Sequence, residues 1–286
     1  MDGIPIFICD ERSVFAASDY TSADTRQDGS NRDDTAVRRV SALKRIDQRV
    51  TGYLDSFYSN SKRPFYPDVI AIATRGKPSV RVLVVGSGGR PYSHPDANVV
   101  CTDVIFAPHV VAIVDAHDLP FTAGSFDLVV AVAVLEHVAD PQRCVAEMRR
   151  ILVDDGIVFA VTPFLQPVHM GAHDFTRFTP MGHRRLFRDF DTIDEGVAMG
   201  AGSMLAFAIS GFLVSLSRRR LYRNAAGLAG RLLTVPLRKL DRWLSPVVSR
   251  DNAAGCYFIG RRRATPIPDR VLIDQYKGGF DSSGPG

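Results

Sequence analysis

The chain has only four cysteines in 286 residues, Cys9, Cys101, Cys144 and Cys256, and no two of them form a CxxC pair. That scarcity and spacing exclude a zinc ribbon and a disulfide-built scaffold, and they fit a reducing compartment. Cys101 and Cys256 fall in strand-like text, where a thiol packs as a small inert apolar residue. The opening Met1-Asp2-Gly3-Ile4 has neither the basic start nor the long apolar run of a secretory signal, so a cytoplasmic protein is expected. The apolar stretch 204–216 is too short to span a bilayer comfortably. There is no Asn-Pro-Pro-Tyr base-binding motif and no broad basic stripe with interleaved aromatics, so no nucleic-acid partner is expected. The net charge of +4 is too mild to demand an anionic partner. No internal repeat is visible.

What is present is enough apolar residue, 45% of the chain, to bury one large core. Residues 1–35 read as a flexible N-terminal segment. Its first part, 4–9, is a short apolar run that can form a strand, and the part from 18 on is polar linker text. Apolar residues at three- and four-residue steps predict an amphipathic helix over 36–57 and a short helix over 69–74. Residues 80–85, 99–102, 110–114, 126–132 and 157–161 are β-branched apolar runs, as expected for strands buried on both faces. A helix opening at Pro141, with Cys144, Val145, Met148 and Leu152 on its apolar face, lies between the last two. This order predicts a mainly parallel α/β sheet. The early crossovers are too short and too rich in proline (Pro91, Pro95) for full helices, so one or two are expected to be loops. Later, a short helix over 181–187, a strand over 192–199, an apolar helix over 203–216, a basic amphipathic stretch over 232–244 and a strand over 255–260 are predicted.

Two stretches carry the chemistry. The first is Val82-Leu83-Val84-Val85-Gly86-Ser87-Gly88-Gly89, a strand running into a glycine turn. Glycine there lets a ligand approach the backbone, and in a parallel sheet such ligands sit beyond the strands' carboxyl ends. The sixth position of the dinucleotide pattern is Pro91 and no clear helix follows, which weakens a pyrophosphate site. Asp103, ending the second of these strands, is placed to accept hydrogen bonds from ribose hydroxyls, and this does not discriminate between nucleotide classes. Asp115 and Ala116 end the third, where a carboxylate can accept from an adenine amino group and Leu119 and Phe121 can supply apolar walls.

The second stretch is Asp115-Ala116-His117-Asp118-Leu119-Pro120-Phe121 with Ser125-Phe126-Asp127-Leu128-Val129-Val130. Together with Val134-Leu135-Glu136-His137-Val138 and Glu147-Met148-Arg149-Arg150-Ile151-Leu152, it resembles the class I S-adenosylmethionine-dependent methyltransferases, in particular the type 11 methyltransferase domain. The resemblance covers roughly residues 81–179. It implies a Rossmann-like, mainly parallel seven-stranded sheet, here with trimmed early helices and a helical insertion before the last strand. The domain would run from 36 to 263, with a cofactor half at 80–163, an acceptor loop at 164–190, an apolar and basic helical insertion at 200–250, and a C-terminal tail at 264–286. It further implies that Gly86, Ser87 and Gly88 face the amino-acid part of S-adenosyl-L-methionine, Asp103 its ribose, Asp115 with Ala116 its adenine, and Val134 its methionine portion. Three positions depart from the family pattern. Val84 replaces the usual acid before the glycine turn, Arg90 the usual third glycine, and Val153-Asp154-Asp155-Gly156 the usual Pro-Gly-Gly.

The acceptor side is the loop His169-Met170-Gly171-Ala172-His173-Asp174-Phe175-Thr176-Arg177-Phe178-Thr179. Methyl transfer to oxygen requires the acceptor to lose a proton, and a histidine near neutral pKa suits that role. His169 and His173 are therefore the candidate bases. Asp174 and Arg177 are the candidate substrate contacts, with bracing of the loop as the alternative. His137 reads as a structural residue at a helix start. No metal site is expected, because His169 and His173 lack accompanying carboxylates at a recognisable spacing. The expected activity is methyl transfer to a small molecule, at oxygen of a sugar, lipid-linked glycan or secondary metabolite. The rivals are a non-catalytic scaffold that kept the fold and a nucleotide-dependent oxidoreductase. The stretch 204–244, with Arg218-Arg219-Arg220 and Trp243, has two readings: a buried helical insertion, or peripheral contact with the inner face of a membrane that presents a lipid-linked acceptor.

Overall fold

A computed structural model describes residues 3–20 and 66–279, apart from 76, 78, 89 and 90. The helix expected over 36–57, the Arg90 position and the terminal 281–286 lie outside the described residues.

The core is one eight-stranded sheet, in the order β1-β4-β3-β2-β5-β6-β8-β7. The strands are β1 (Ile6–Phe7), β2 (Val80–Val85), β3 (Ala97–Asp103), β4 (Ala112–Val114), β5 (Phe126–Val132), β6 (Leu152–Pro163), β7 (Phe190–Met199) and β8 (Gly255–Arg262). Neighbours from β1 through β6 pair in parallel, and β8 runs antiparallel to both β6 and β7. Seven of these strands make the mainly parallel sheet that was expected. The eighth is β1, which pairs Ile6 with Ile113 and Phe7 with Val114 and so extends the sheet at the β4 edge. The first part of the N-terminal segment is therefore built into the sheet.

β2 shows why the strands read so plainly. Leu83 and Val85 pack into one apolar layer and Val80, Val82 and Val84 into the other, so both faces are buried. α1 (Tyr66–Ala73) covers the second layer with Val69 and Ile70. α2 (Pro141–Ile151) covers the first with Cys144, Val145, Met148 and Ile151. Asp140 caps α2 by accepting from the Arg143 amide at 3.0 Å, and Pro141 sits in the first turn, where its missing N–H costs nothing. Among the described residues, the connections 86–96, 104–111 and 115–125 contain no helix, one more than expected. The replacement for Pro-Gly-Gly lies inside β6, where the pairing with β5 shifts between Phe126 and Leu128 and accommodates the extra residues as a bulge.

α3 (Pro180–Leu186) follows the acceptor loop. Between β7 and β8 stands the insertion, made of α4 (Ala201–Ser215), α5 (Arg220–Leu233), α6 (Val235–Leu240) and α7 (Pro246–Arg250). The single stretch read over 232–244 is in fact the end of one helix and the whole of another. Thr234 ends α5, and Pro236 takes the first turn of α6, since proline cannot continue a helix interior. The Asp241 carboxylate accepts from the amides of Gly200, Gly202 and Ser203 at 2.7–3.1 Å, placing an anion on the unpaired N–H groups that open α4. None of the described helices is long and apolar enough to cross a membrane. The described part of the tail packs on the domain. Ile267 and Leu272 are buried, α8 (Asp269–Asp274) forms, and Asp269 pairs with Arg185 and Arg188 on and beside α3.

Candidate active site at the strand ends

The strand order reverses where β2 pairs with β3 on one side and β5 on the other, the place where a parallel sheet opens a crevice. Gly86 and Gly88 follow β2 with φ of +63° and +59°, a left-handed conformation that favours glycine. A Cβ on Gly86 would stand 2.5 Å from Val134 Cγ2, so the turn and the start of the segment after β5 touch directly. A Cβ on Gly88 would meet nothing within 4 Å, so this backbone faces open space. Ser87 is buried with its hydroxyl unpartnered. The crevice therefore offers a close backbone approach and one unsatisfied polar group. Val84 points away from it into the core.

Asp103 and Asp115 stand at the ends of β3 and β4, and both are buried. Asp103 accepts from the Gly88 amide at 2.6 Å and the Ile105 amide at 3.0 Å, which fastens the glycine turn to β3. Burial pushes its carboxyl above the ordinary value, and these amides oppose the shift. Asp115 accepts from the His117 amide at 2.9 Å, and the His117 ring lies against the same oxygen at 2.5 Å. The other oxygen accepts from the hydroxyl of Ser13. Burial alone would raise the Asp115 carboxyl, but His117 and Ser13 outweigh it and hold the group below its usual range. His117 Nε2 in turn accepts from the Asp140 amide at 3.0 Å, linking this carboxylate to the cap of α2. Ala116 is buried beside them.

Ser13 reaches Asp115 because β1 is parallel to β4, so the chain leaving β1 runs out over the same edge of the sheet. Phe15 then stacks on His173 at 5.6 Å, and Arg12 stands 3.4 Å from Asp118. Neither Ser13 nor His117 was singled out from the sequence. His117 lies at an unspecified position of the motif, and Ser13 is 102 residues from its partner.

The Leu-Pro-Phe turn is held by a charged pair on α2. Glu147 accepts from the Leu119 amide at 3.0 Å, and Arg150 donates to the carbonyls of Leu119 and Phe121 at 2.8 Å each. Glu147 and Arg150 also pair with each other at 2.7 Å.

On the other side of Val134, the chain turns through Ala133 with φ of +57°, a costly conformation for a residue with a Cβ. It then delivers Glu136 and His137. Glu136 is fully buried, and neither carboxylate oxygen has a hydrogen-bond partner. Its carbonyl accepts from the amides of Phe175 and Thr176 at 2.8 and 3.3 Å, tying down the acceptor loop. His137 and His169 meet with their Nε2 atoms 3.1 Å apart. Glu136 Oε1 stands 3.7 Å from the first and 3.6 Å from the second. This carboxylate raises the His169 pKa above the ordinary imidazole value, against the effect of burial.

His137 does not start a helix; α2 begins only at Pro141. His173 does not join His169. Its ring lies under Phe15, its Nδ1 is buried without a partner, and it contributes its carbonyl to His137 Nδ1 at 2.8 Å. Asp174 accepts from the His169 amide at 2.7 Å and forms a two-point ion pair with Arg177. Arg177 also reaches the carbonyls of Gln166 and Pro167 at 3.3 Å each. These contacts brace the loop. Burial alone would raise the Asp174 carboxyl, and Arg177 holds it below the usual range instead. A cavity of 720 Å³ elsewhere, lined by Arg184, Glu195, Arg263 and Lys277, includes none of these residues.

Residues 92–160 match the family described as Methyltransferase domain. The malonyl-acyl-carrier-protein O-methyltransferase of Geobacter sulfurreducens is 28% identical over 122 residues, 36% of this chain and 46% of that protein. The chain thus spans about half the length of this curated relative. Among solved structures, the cyclase SpnF is 18% identical with a TM-score of 0.39, covering 69% of this chain and 80% of that one. An S-adenosylmethionine-dependent methyltransferase from Aquifex aeolicus is 14% identical with a TM-score of 0.29, covering 35% and 66%. The fold assignment rests on the strand order of the chain itself.

Proposed function

We propose that this chain, whose residues 92–160 match a methyltransferase domain, transfers a methyl group from S-adenosylmethionine to a small-molecule acceptor. The acceptor atom in this reading is an oxygen of a sugar, lipid-linked glycan or secondary metabolite. The observation that carries the proposal is the left-handed glycine turn at the strand reversal, flanked by carboxylates at the ends of β3 and β4. These residues fit S-adenosyl-L-methionine, since Gly88 faces open space and Ser87 has a hydroxyl to satisfy. Gly86, Ser87 and Gly88 would hold its amino-acid end, Asp103 its ribose, Asp115 and Ala116 its adenine, and Val134 its methionine chain.

When bound, that cofactor supplies an electrophilic methyl group on a sulfonium. The protein's part is to position the acceptor in line, exclude water and take the proton from the acceptor hydroxyl. His169 is the candidate for the last task, because it is half-exposed and Glu136 favours its protonated form. His173, under Phe15, is the less suited of the two candidates. Calorimetry with S-adenosylhomocysteine tests the reading. Folded protein that fails to bind at high micromolar ligand would rule it out.

A second reading, a scaffold that kept the fold without catalysis, is favoured by Ser13 and His117, which already occupy acceptor positions on Asp115. If Ser13→Ala and the wild type both fail to bind the ligand, this reading gains. Peripheral membrane contact through 204–244 is supported by the exposure of Phe212, Leu221, Leu233 and Trp243 beside Arg218-Arg219-Arg220. It predicts sedimentation with anionic liposomes at low salt, and a protein left in the supernatant under those conditions would sink it.

A further inference from the structure

Glu136 presents the sharpest unmet demand among the described residues. Its side chain is 0% exposed, and both oxygens lack a hydrogen-bond partner. A buried carboxylate without donors is costly, and native proteins meet that cost with a charge, a proton or a metal. The neighbouring groups are two imidazoles, and their orientations are fixed from behind. His137 Nδ1 lies 2.8 Å from the His173 carbonyl, so it carries the proton and its Nε2 offers a lone pair. His169 Nδ1 faces both Asp174 and the Arg177 guanidinium at 3.4 Å, which hold the ring so that its Nε2 turns toward His137 and Glu136. A carbonyl or carboxylate behind each ligating histidine is the usual support of a metal-bound imidazole.

The distances agree. One ligand atom from each of Glu136, His137 and His169 falls within 4.8 Å of the others. The two Nε2 atoms are 3.1 Å apart. Two nitrogens each about 2.0–2.1 Å from one zinc ion at a tetrahedral angle stand about 3.3 Å apart. Glu136 Oε1, at 3.6 and 3.7 Å from the two nitrogens, needs to close by only a few tenths of an ångström to join them. A single proton shared between the rings would relieve the nitrogen pair and give Glu136 Oε1 an ionic contact at 3.6 Å, but it would leave Oε2 without a donor. A divalent cation meets all three groups at once.

We propose that Glu136, His137 and His169 form a binding site for one divalent transition-metal cation of the zinc type. Two imidazoles disfavour magnesium and calcium, which prefer all-oxygen sets. Three protein ligands leave at least one position open. His137 and His169 are partly exposed while Glu136 is closed off, so the open side faces the half-exposed His169. Resting on the methyl-transfer reading above, that position would take the acceptor oxygen. The bound hydroxyl would lose its proton to solvent water and keep its electron pair on oxygen, held by the cation. His169 would then be a ligand, and the base of the metal-free site would not be needed.

The test is titration calorimetry of tag-free protein, stripped with a chelator, with zinc ion alone. Cobalt ion serves as a second probe for its absorption bands. One equivalent should bind with low-micromolar or tighter affinity. His137→Ala and His169→Ala should each weaken binding at least tenfold, while His94→Ala should leave it unchanged. Glu136→Gln alters a fully buried group and so also changes folding stability; the two histidine variants therefore carry the decision. Absence of saturable zinc binding by folded wild-type protein, or the same affinity in His169→Ala, would overturn the site. A separate titration with S-adenosylhomocysteine in the absence of metal distinguishes failure of this site from failure of the cofactor reading.

Discussion

The two sides of the crevice solve opposite problems. On the cofactor side every carboxylate already has partners within the chain. Gly88 and Ile105 serve Asp103, and Ser13 and His117 serve Asp115. On the acceptor side Glu136 is as deeply buried and has none. A ligand entering the first side meets carboxylates whose charge is already partly satisfied, so the net gain from each new hydrogen bond is only of order 1 kcal/mol. A cation entering the second side would displace the contact between the two imidazoles and remove the cost of the buried carboxylate. In the reading proposed above, the adenine end is largely satisfied from within the chain and the loop end is not.

The largest expected effect that probes this contrast is at the glycine turn. In Gly86→Ala the new Cβ adopts a left-handed φ and meets Val134 Cγ2 at 2.5 Å. The conformational penalty of about 1–2 kcal/mol and overpacking of about 1–3 kcal/mol should act together. Binding of S-adenosylhomocysteine should fall at least a hundredfold in calorimetry, with a lowered melting temperature. Retained affinity would show that the turn does not approach the ligand.

The next effect separates stability beneath the acceptor loop from chemistry in it. His183 on α3 is buried against Phe178 and Phe187, and burial, with Arg250 and Arg184, lowers its pKa from the ordinary 6.5 to about 3. The folded state therefore keeps it neutral while the unfolded chain protonates below about pH 6.5. Its contribution is complete above that pH and is lost as pH falls toward 3. One proton changes stability by about 1.4 kcal/mol per pH unit, or roughly 3 kcal/mol between pH 6.5 and 4.5. Denaturant melts of wild type and His183→Leu should diverge by that slope. Parallel pH profiles would show that His183 is accessible to protons in the fold.

The strands and their mainly parallel arrangement were legible because the β-branched apolar runs are of strand length and alternate with turn signals. The short crossovers were legible from Pro91 and Pro95. The site was legible only where its groups are close in sequence. Gly86, Asp103 and Asp115 each follow a strand, so a strand pattern locates them. Glu136 and His169 are 33 positions apart in the numbering and meet only because β5 and β6 pair side by side. Spacing suggested His169 with His173 instead, and the loop turns through Met170 at φ +60° and separates them. Asp174 and Arg177 show the same limit from the other side. Their types left a substrate contact and a brace of the loop both open, and the contacts to Gln166, Pro167 and the His169 amide are those of a brace.

At the adenine end, the third prediction is a loss of about 2 kcal/mol, or roughly thirtyfold, in S-adenosylhomocysteine affinity for Asp115→Ala. The matched fourth is smaller and has the opposite sign. Ser13→Ala removes a competitor for Asp115 Oδ2 while leaving His117 on the other oxygen. If Ser13 must leave before ligand binds, the affinity should rise by about 1 kcal/mol, roughly fivefold. The double variant should show no gain from the Ser13 change, because the carboxylate that Ser13 occupies is absent. Calorimetry on the four proteins gives the coupling directly. Equal affinity in Ser13→Ala and wild type would mean that Ser13 and the ligand share Asp115 without competing, and the arm over β4 would then be part of the binding wall and not an obstacle to it.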